Sequence, residues 1–398
     1  MSEPRRPIHL VDVQEAPPAR AAKWRFVGRR ILSLCAAYSF REVSPSALEP
    51  IEVADRLGLD CLPLPDNMAL RSDAMASMAR LFAEQALPED FSRWVLSGEI
   101  FDGQAEPPLR WRSWSAVSCG LFGVASPTAD AELLALLAGV AADLRLPDAT
   151  LAVSTLGDPG DYQRYLEATR ALSLLGCPAC IASADPLRFL SCTDDGCRAL
   201  ALTAPSLRDV LSAAARKRHE LVLGAAVNLG LQVSDDPKLV LDGRRYGSTV
   251  FELSASGPLG RVAVARGGRR DTLVEQLGGK PTPFVGVTFG ILRAASCTPG
   301  EDETFEPSCE VFFASRTLAA RAIAARLAHE ARSRGMRVDV ELRDISLDQQ
   351  LARAARLHCR LVAVIGSDTT IELHNPRTGA IEPVRLDDLT STLRRALR

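Results

Sequence analysis

The chain has 398 residues, enough for two or three domains, with 47% hydrophobic residues to fill their cores and an ordinary 24% of charged ones. A formal net charge of −2 excludes a general attraction to nucleic acid, so any RNA site has to be local. No apolar run approaches the about 18–20 residues of a membrane span, and the opening MSEPRRPIHLVDVQEAPPAR lacks the apolar segment of a secretory signal. A cytoplasmic protein is therefore expected, with its ten cysteines reduced and not paired in a disulfide framework.

Residues 21–39 place Trp24, Val27, Ile31 and Leu34 at helical intervals, with Lys23, Arg25, Arg29 and Arg30 between them. FREVSPSALEP (40–50) reads as a strand and turn, and residues 62–85 as a strand running into a helix. RWVLSGEIF and SAVSCGLFGV are strand-like; ADAELLALLAGVAADLRL (129–146) is a helix that Ser126, Thr128 or Asp130 would cap. LAVSTLGDPG, from 151, reads as a strand and turn, and a cysteine-bearing helical insertion follows to about 232. Residues 239–257 and 261–279 return to strands, and CTPGEDETFEPSCE (297–310) reads as a linker.

Beyond the linker the strands CEVFFAS, MRVDVEL and LVAVIG alternate with two helical stretches, the first ending at Gly335. That alternation predicts βαβ units and a small parallel-rich sheet. The expected organisation is a core over 1–300 with its insertion at about 158–232, a linker over 301–310, and an α/β domain over 311–398.

CPAC (177–180) and CTDDGC (192–197) form a two-plus-two cysteine set. The first pair has zinc-ligand spacing and the second is looser. Cys177, Cys180, Cys192 and Cys197 are thus a candidate zinc site, with four partly buried thiols as the other reading. His9, His219, His329, His358 and His374 show neither ligand nor triad spacing and are expected at the surface.

Residues 93–123, RWVLSGEIFDGQAEPPLRWRSWSAVSCGLFG, align without a gap on the second signature motif of class II aminoacyl-tRNA synthetases of the histidyl type. The pattern there is close to F-R-Y-E-R-P…G-R-Y-R-Q-F-H-Q…E-x-F-G. Residues 40–50 resemble the first, dimer-forming class II motif. Residues 151–176 resemble the strand and N-S-L-G-D-P turn of the histidyl family, and 281–296 its third motif. The alternating segment at the C-terminus resembles its anticodon-binding domain. The resemblance to the histidyl-tRNA synthetase family runs through nearly the whole chain. It implies an α+β fold: an antiparallel class II core with a helical insertion, then an α/β anticodon-binding-like domain. It also implies a homodimer formed through residues 21–50.

The departures fall on chemistry. Activation of histidine needs an ATP clamp and a pocket for the imidazole and ammonium. Asp102 stands where the family's arginine grips the α-phosphate; a carboxylate repels phosphate and lacks the guanidinium fork. Arg110, Arg112 and Arg293 persist, as a residual nucleotide or anion site or as structural ion-pair residues. Leu292 replaces the glutamate usual beside Arg293.

The family's L-R-P-E-G-T becomes LRSDAM, with Asp73 for glutamate and Met75 for threonine. Asp73 either holds an ammonium or is an ordinary exposed acid at a helix start, and the second reading is favoured. Q-F-G-V-E becomes AVSCG, with Ala116 and Gly120 at the polar positions. R-G-L-D-Y-Y-x-R-T-V-F-E becomes LDGRRYGSTVFE, with Leu241 for the first arginine and Arg245 for the first tyrosine; Tyr246 survives. Gly267 and Gly268 of GGRRD either line the remnant pocket or serve a tight strand turn. Each buried polar partner lost to a ligand costs about 1–3 kcal/mol.

No catalytic residue is therefore assigned. The expectation is a catalytically degenerate paralogue acting as a regulatory or adaptor subunit on a partner enzyme, as does the regulatory subunit of ATP phosphoribosyltransferase in histidine biosynthesis. The alternatives are a divergent histidine–tRNA ligase, using ATP and magnesium, and an adenylating enzyme with a different substrate. In the C-terminal domain the family's S-L-K-K-Q-L-K-R-A becomes SLDQQLARAA (346–355), with Asp348 and Ala352 for lysines. Binding of tRNA is expected to be weak or absent, unless Arg332, Arg334 and Arg337 serve instead.

Overall fold

The computed structural model describes residues 15–85, 91–101, 112–183, 186–192, 194–258, 260–305, 309–366, 371–376 and 378–397. It divides into two compact units, Met1–Phe305 and Glu306–Arg398.

The first unit opens with α1 (Pro18–Ala37), β1 (Arg41–Glu42), β2 (Leu48–Pro50), α2 (Ile51–Leu57), β3 (Leu62–Leu64), β4 (Met68–Leu70) and α3 (Ala74–Glu84). Then come β5 (Ser92–Phe101), β6 (Ser113–Phe122), α4 (Pro127–Asp143) and β7 (Thr150–Thr155). The insertion holds α5 (Pro159–Ser173), α6 (Pro178–Ile181), α7 (Asp195–Thr203), α8 (Leu207–Val210) and α9 (Ala213–Asn228). The unit closes with β8 (Ser234–Asp235), β9 (Gly247–Gly257), β10 (Gly260–Arg269), α10 (Leu273–Gln276), β11 (Phe284–Gly290) and α11 (Ile291–Cys297).

Eight strands form one sheet in the order β1-β5-β6-β11-β10-β9-β7-β8. The inner pairings are antiparallel; only the end pairs, β1 with β5 and β7 with β8, are parallel. Alternation along β6 explains the two faces. Val117, Cys119 and Leu121 enter one core with Val27, Ile31 and Cys35 of α1 and Leu133, Leu134, Leu136 and Leu137 of α4. Ala116 and Phe122 enter the other with Met75 and Met78 of α3 and Phe284 of β11. Each fully buried Leu, Val or Phe contributes about 1.5–3 kcal/mol, so the apolar face of α1 and the nearly all-apolar α4 dictate where those helices lie. Ser126 caps α4, accepting from the Thr128 N–H.

Four expectations are corrected. Residues 62–70 are a hairpin, not one strand: Asp66 and Asn67 both take positive φ, 62° and 57°, and turn β3 back onto β4. Of residues 239–257, only Gly247 onward is strand, because Asp242 organises the preceding stretch into turns, accepting from the N–H and guanidinium of Arg244. His219 is 8% exposed, not at the surface, and its Nε2 lies 2.9 Å from Asp235 Oδ1. Residues 302–305, read as linker, form a 3-10 turn against α1, with Phe305 beside Phe26 and Asp302 beside Lys23.

The second unit contains β12 (Val311–Ser315), α12 (Leu318–Ser333), β13 (Val338–Val340), α13 (Leu347–Arg356), β14 (Leu361–Ile365), β15 (Ile371–His374), β16 (Ile381–Val384) and α14 (Leu389–Leu397). Its sheet runs β13-β12-β14-β15-β16, parallel across the first three strands and antiparallel across the last three. The parallel part is the expected βαβ pattern. The closing β15–β16 hairpin was not legible, since its two strands have only four residues each. Ser346 and Gln349 form the capping box of α13.

Candidate functional site

On the α3 side of the eight-stranded sheet lies a cavity of about 260 Å³. Its wall joins the start of α3 (Asp73, Met75) and Trp114 of β6 to Arg245 and Tyr246, which precede β9, and to Arg266 of β10 and Arg293 of α11. The sheet brings these together because β10 and β11 are neighbours and both pass beneath the α3 terminus.

Asp73 is the only acidic residue on that wall among the described residues. It is the N-cap of α3: one carboxylate oxygen accepts from the N–H groups of Met75 (2.8 Å) and Ala76 (3.1 Å). The other accepts from Arg270 Nη1 at 2.6 Å. Burial opposes its charge, but Arg270, Arg245 and the Ala76 N–H outweigh it and hold the carboxyl below its usual range. The favoured expectation of an exposed acid is thus half right. Asp73 does start a helix, but its side chain is only 13% exposed and is ion-paired.

The other expected pocket residues separate. Tyr246 lies on the wall, with Arg270 5.9 Å above its ring, and burial pushes its hydroxyl up. Gly267 and Gly268 line neither this cavity nor the next, and they sit inside the last three residues of β10, not at a turn. Their role is close approach. A Cβ on Gly267 would lie 2.3 Å from Gly286 O, and one on Gly268 2.5 Å from Thr249 O and 3.1 Å from the Tyr246 ring. Arg293 lies on the wall, whereas Arg112 is exposed and away from it. Asp102 and Arg110 fall outside the described residues.

Apolar packing replaces the pocket's lost polar groups. Ala116 and Gly120 lie on the α3-facing side of β6, and a Cβ on Gly120 would be 2.4 Å from the Phe284 ring. No side chain fits there while Phe284 keeps its place. Leu241 packs against the core of the insertion with Tyr162 and Phe189. Three arginines therefore face one carboxylate across the cavity. Arg266 is paired with Glu252 (2.7 Å), and Arg245 lies 3.8 Å from Asp242. Arg245 Nε is buried with no hydrogen-bond partner among the described residues.

Two anchoring arginines escaped sequence reasoning, although both lie in GGRRD. The family's pattern here is G-G-R-Y-D, so Arg270 stands where it has tyrosine, and that departure was the available signal. Arg269 is fully buried and forks onto Asp130 of α4, Nε at 3.0 Å from both oxygens and Nη2 at 2.7 Å from one. It fixes the start of α4 to β10. A second cavity, about 390 Å³, lies between α5 and residues 243–247; Tyr246 lines it as well as the first. In the insertion, the sulfurs of Cys177, Cys180, Cys192 and Cys197 lie within 4.8 Å of one another.

In the second unit, two of the arginines offered to tRNA, Arg332 and Arg337, are engaged internally, as is Arg353. Arg353 of α13 reaches Asp339 (2.6 Å) and Glu341 (3.4 Å), Arg332 donates twice to Val338 O, and Arg337 lies 3.5 Å from Glu310. No helix among the described residues is long and apolar enough to cross a membrane.

Comparison with known proteins agrees with this layout. A family model for histidyl-tRNA synthetase matches residues 12–158, and one for an anticodon binding domain matches 310–396. A histidine--tRNA ligase of Sorangium cellulosum (strain So ce56) is 31% identical over 77% of this chain and 73% of its own length. One of Desulfatibacillum aliphaticivorans is 29% identical over 94% and 95%. The apo S. aureus histidyl-tRNA synthetase superimposes with a TM-score of 0.78 at 23% identity, covering 97% of this chain and 99% of that one. An ATP phosphoribosyltransferase regulatory subunit/histidyl-tRNA synthetase from Bacillus halodurans C gives 0.69 at 16% identity, covering 92% and 100%. At those identities the structural matches establish the shared fold.

Proposed function

The chain belongs to the histidyl-tRNA synthetase family, and we propose that it is a non-aminoacylating member, a regulatory or adaptor subunit that acts on a partner enzyme. The observation that carries this reading is the state of Asp73. The one carboxylate on the cavity wall, at the family's glutamate position, already holds two helix N–H groups and the Arg270 guanidinium. An incoming ammonium would have to displace a charge-assisted bond of 2.6 Å and would meet three wall arginines. The Phe284 ring over Gly120 and the apolar burial of Leu241 remove two further polar contacts. The remaining cavity suits an anionic ligand, since Arg245, Arg266 and Arg293 line it and its carboxylate, Asp73, is already paired with Arg270.

The structural likeness to a regulatory subunit of ATP phosphoribosyltransferase makes that enzyme the partner to try first. The second reading, a divergent histidine–tRNA ligase requiring ATP and magnesium, is favoured by relatives of that name that align over both units.

Histidine-dependent ATP–pyrophosphate exchange separates the two. The expected rate is background, for the native chain and for Asp102→Arg alike, because catalytic groups that act as a unit do not recover one at a time. Exchange well above a no-enzyme control would overturn the proposal and establish the ligase. Stimulation of ATP phosphoribosyltransferase catalytic chains from the same organism would identify the partner.

A further inference from the structure

We propose that Cys177, Cys180, Cys192 and Cys197 bind one zinc ion as a tetrathiolate centre that fastens the helical insertion. All four sulfurs lie within 4.8 Å of one another, with Cys177–Cys192 at 3.9 Å and Cys180–Cys197 at 3.8 Å. Four thiolates set tetrahedrally about 2.3 Å from zinc are about 3.8 Å apart. A disulfide needs sulfurs about 2.05 Å apart, and all ten cysteines are free.

The local chain presents the sulfurs in the way a metal requires. Cys177 caps the four-residue α6 and Cys180 lies inside it, so the two-residue spacing turns both side chains to one side. Cys197 sits in the first turn of α7, where its N–H is held by Asp194 (3.1 Å). The backbone N–H of Cys177 donates to Cys197 Sγ at 3.1 Å, the type of outer contact that steadies a bound thiolate. Gly176 makes this approach feasible: a Cβ there would lie 3.1 Å from the Cys180 Cβ and 3.7 Å from Cys197 Sγ.

Plain core packing explains Cys180 and Cys197, 6% and 0% exposed. It does not explain why the half-buried Cys177 and Cys192 bring their sulfurs into the same cluster. Oxygen-binding cations such as magnesium and calcium are disfavoured by four soft sulfur donors. On binding, each thiol gives up its proton to solvent and forms one sulfur–zinc bond, with no change of oxidation state.

Such a centre ties α6 to α7 across the segment that includes Pro186, which lines the larger cavity with Tyr162 and Leu166. The ion would therefore fix one wall of that cavity, independently of whether the chain aminoacylates.

Metal analysis of the full chain, purified without chelator, tests the proposal. One zinc per chain is expected, falling well below one in Cys177→Ser and in Cys192→Ser, whose half-buried positions make them mild changes. Cys61→Ser, outside the cluster, should keep its zinc. Cobalt substitution should give the absorption of tetrahedral thiolate coordination, lost in Cys192→Ser. Negligible zinc in a folded native chain with all ten thiols reduced would overturn the proposal. So would two disulfides among these four residues, iron in place of zinc, or full zinc retention in both serine variants.

Discussion

Removing the negative partner of the buried Arg269 should cost the first unit more stability than any surface change. All five guanidinium N–H groups are matched. Nε and one Nη2 hydrogen go to Asp130, the other Nη2 hydrogen to Ser126 O (3.0 Å), and Nη1 to Val124 O (2.8 Å) and Asp271 (3.2 Å). Arg269 and Asp130 are both fully buried. Asp130→Asn keeps the shape and removes the charge, leaving a buried cation whose remaining carboxylate, Asp271, is 47% exposed. Breaking such a pair costs about 3–5 kcal/mol. Arg269→Met should cost at least as much, because it leaves the buried Asp130 with only Arg218, at 3.5 Å, and two carbonyls without donors at about 1–3 kcal/mol each. The double variant Asp130→Leu/Arg269→Met should cost clearly less than the sum of the two, since neither charge is left alone.

All four tryptophans, Trp24, Trp94, Trp111 and Trp114, lie in the first unit, so urea unfolding followed by tryptophan fluorescence reads that unit alone. A loss below about 1 kcal/mol for Asp130→Asn, or strict additivity in the double variant, would refute the reasoning.

Three further outcomes are expected. Glu341 accepts from the guanidinium and N–H of Arg343, and those bonds hold its carboxyl down to about 2, against an ordinary 4.5. Its stabilisation is complete above pH 4.5 and fades as pH falls toward 2; acid titration by circular dichroism should show this for the second unit, and Glu341→Gln should abolish that component. Binding of histidine tRNA should be weak and unselective at about physiological salt, where specific complexes persist; tight selective retention on filters would contradict it. The chain should be a homodimer by light scattering, using the exposed Phe26 and Leu48 (40% and 49%), and Leu48→Asp should shift it to monomer.

Periodicity made α1, α4, β5, β6 and the alternating second unit legible, because each buries a stripe or face that the sequence spells locally. What escaped depends on distant partners. Asp73 reads as a surface acid until Arg270, 197 positions later, is folded against it. His219 looks isolated until β8 delivers Asp235. Gly120 shows a missing glutamate, but only the register of β11 against β6 shows Phe284 filling the space. The cysteine set was visible from spacing, while its approach to within 4.8 Å required the fold of the insertion.

The end strands of the large sheet have a consequence for self-association. β1 and β8 are only two residues long, and Arg41, Glu42, Ser234 and Asp235 are all exposed. An edge so short and charged offers an incoming chain almost no ladder to extend. The second unit is guarded similarly, with a three-residue β13 at one margin and Pro383, which has no N–H to donate, within β16 at the other. Each of these end strands therefore gives an added chain little to pair with, so strand addition onto them, the route to open-ended fibres, is disfavoured.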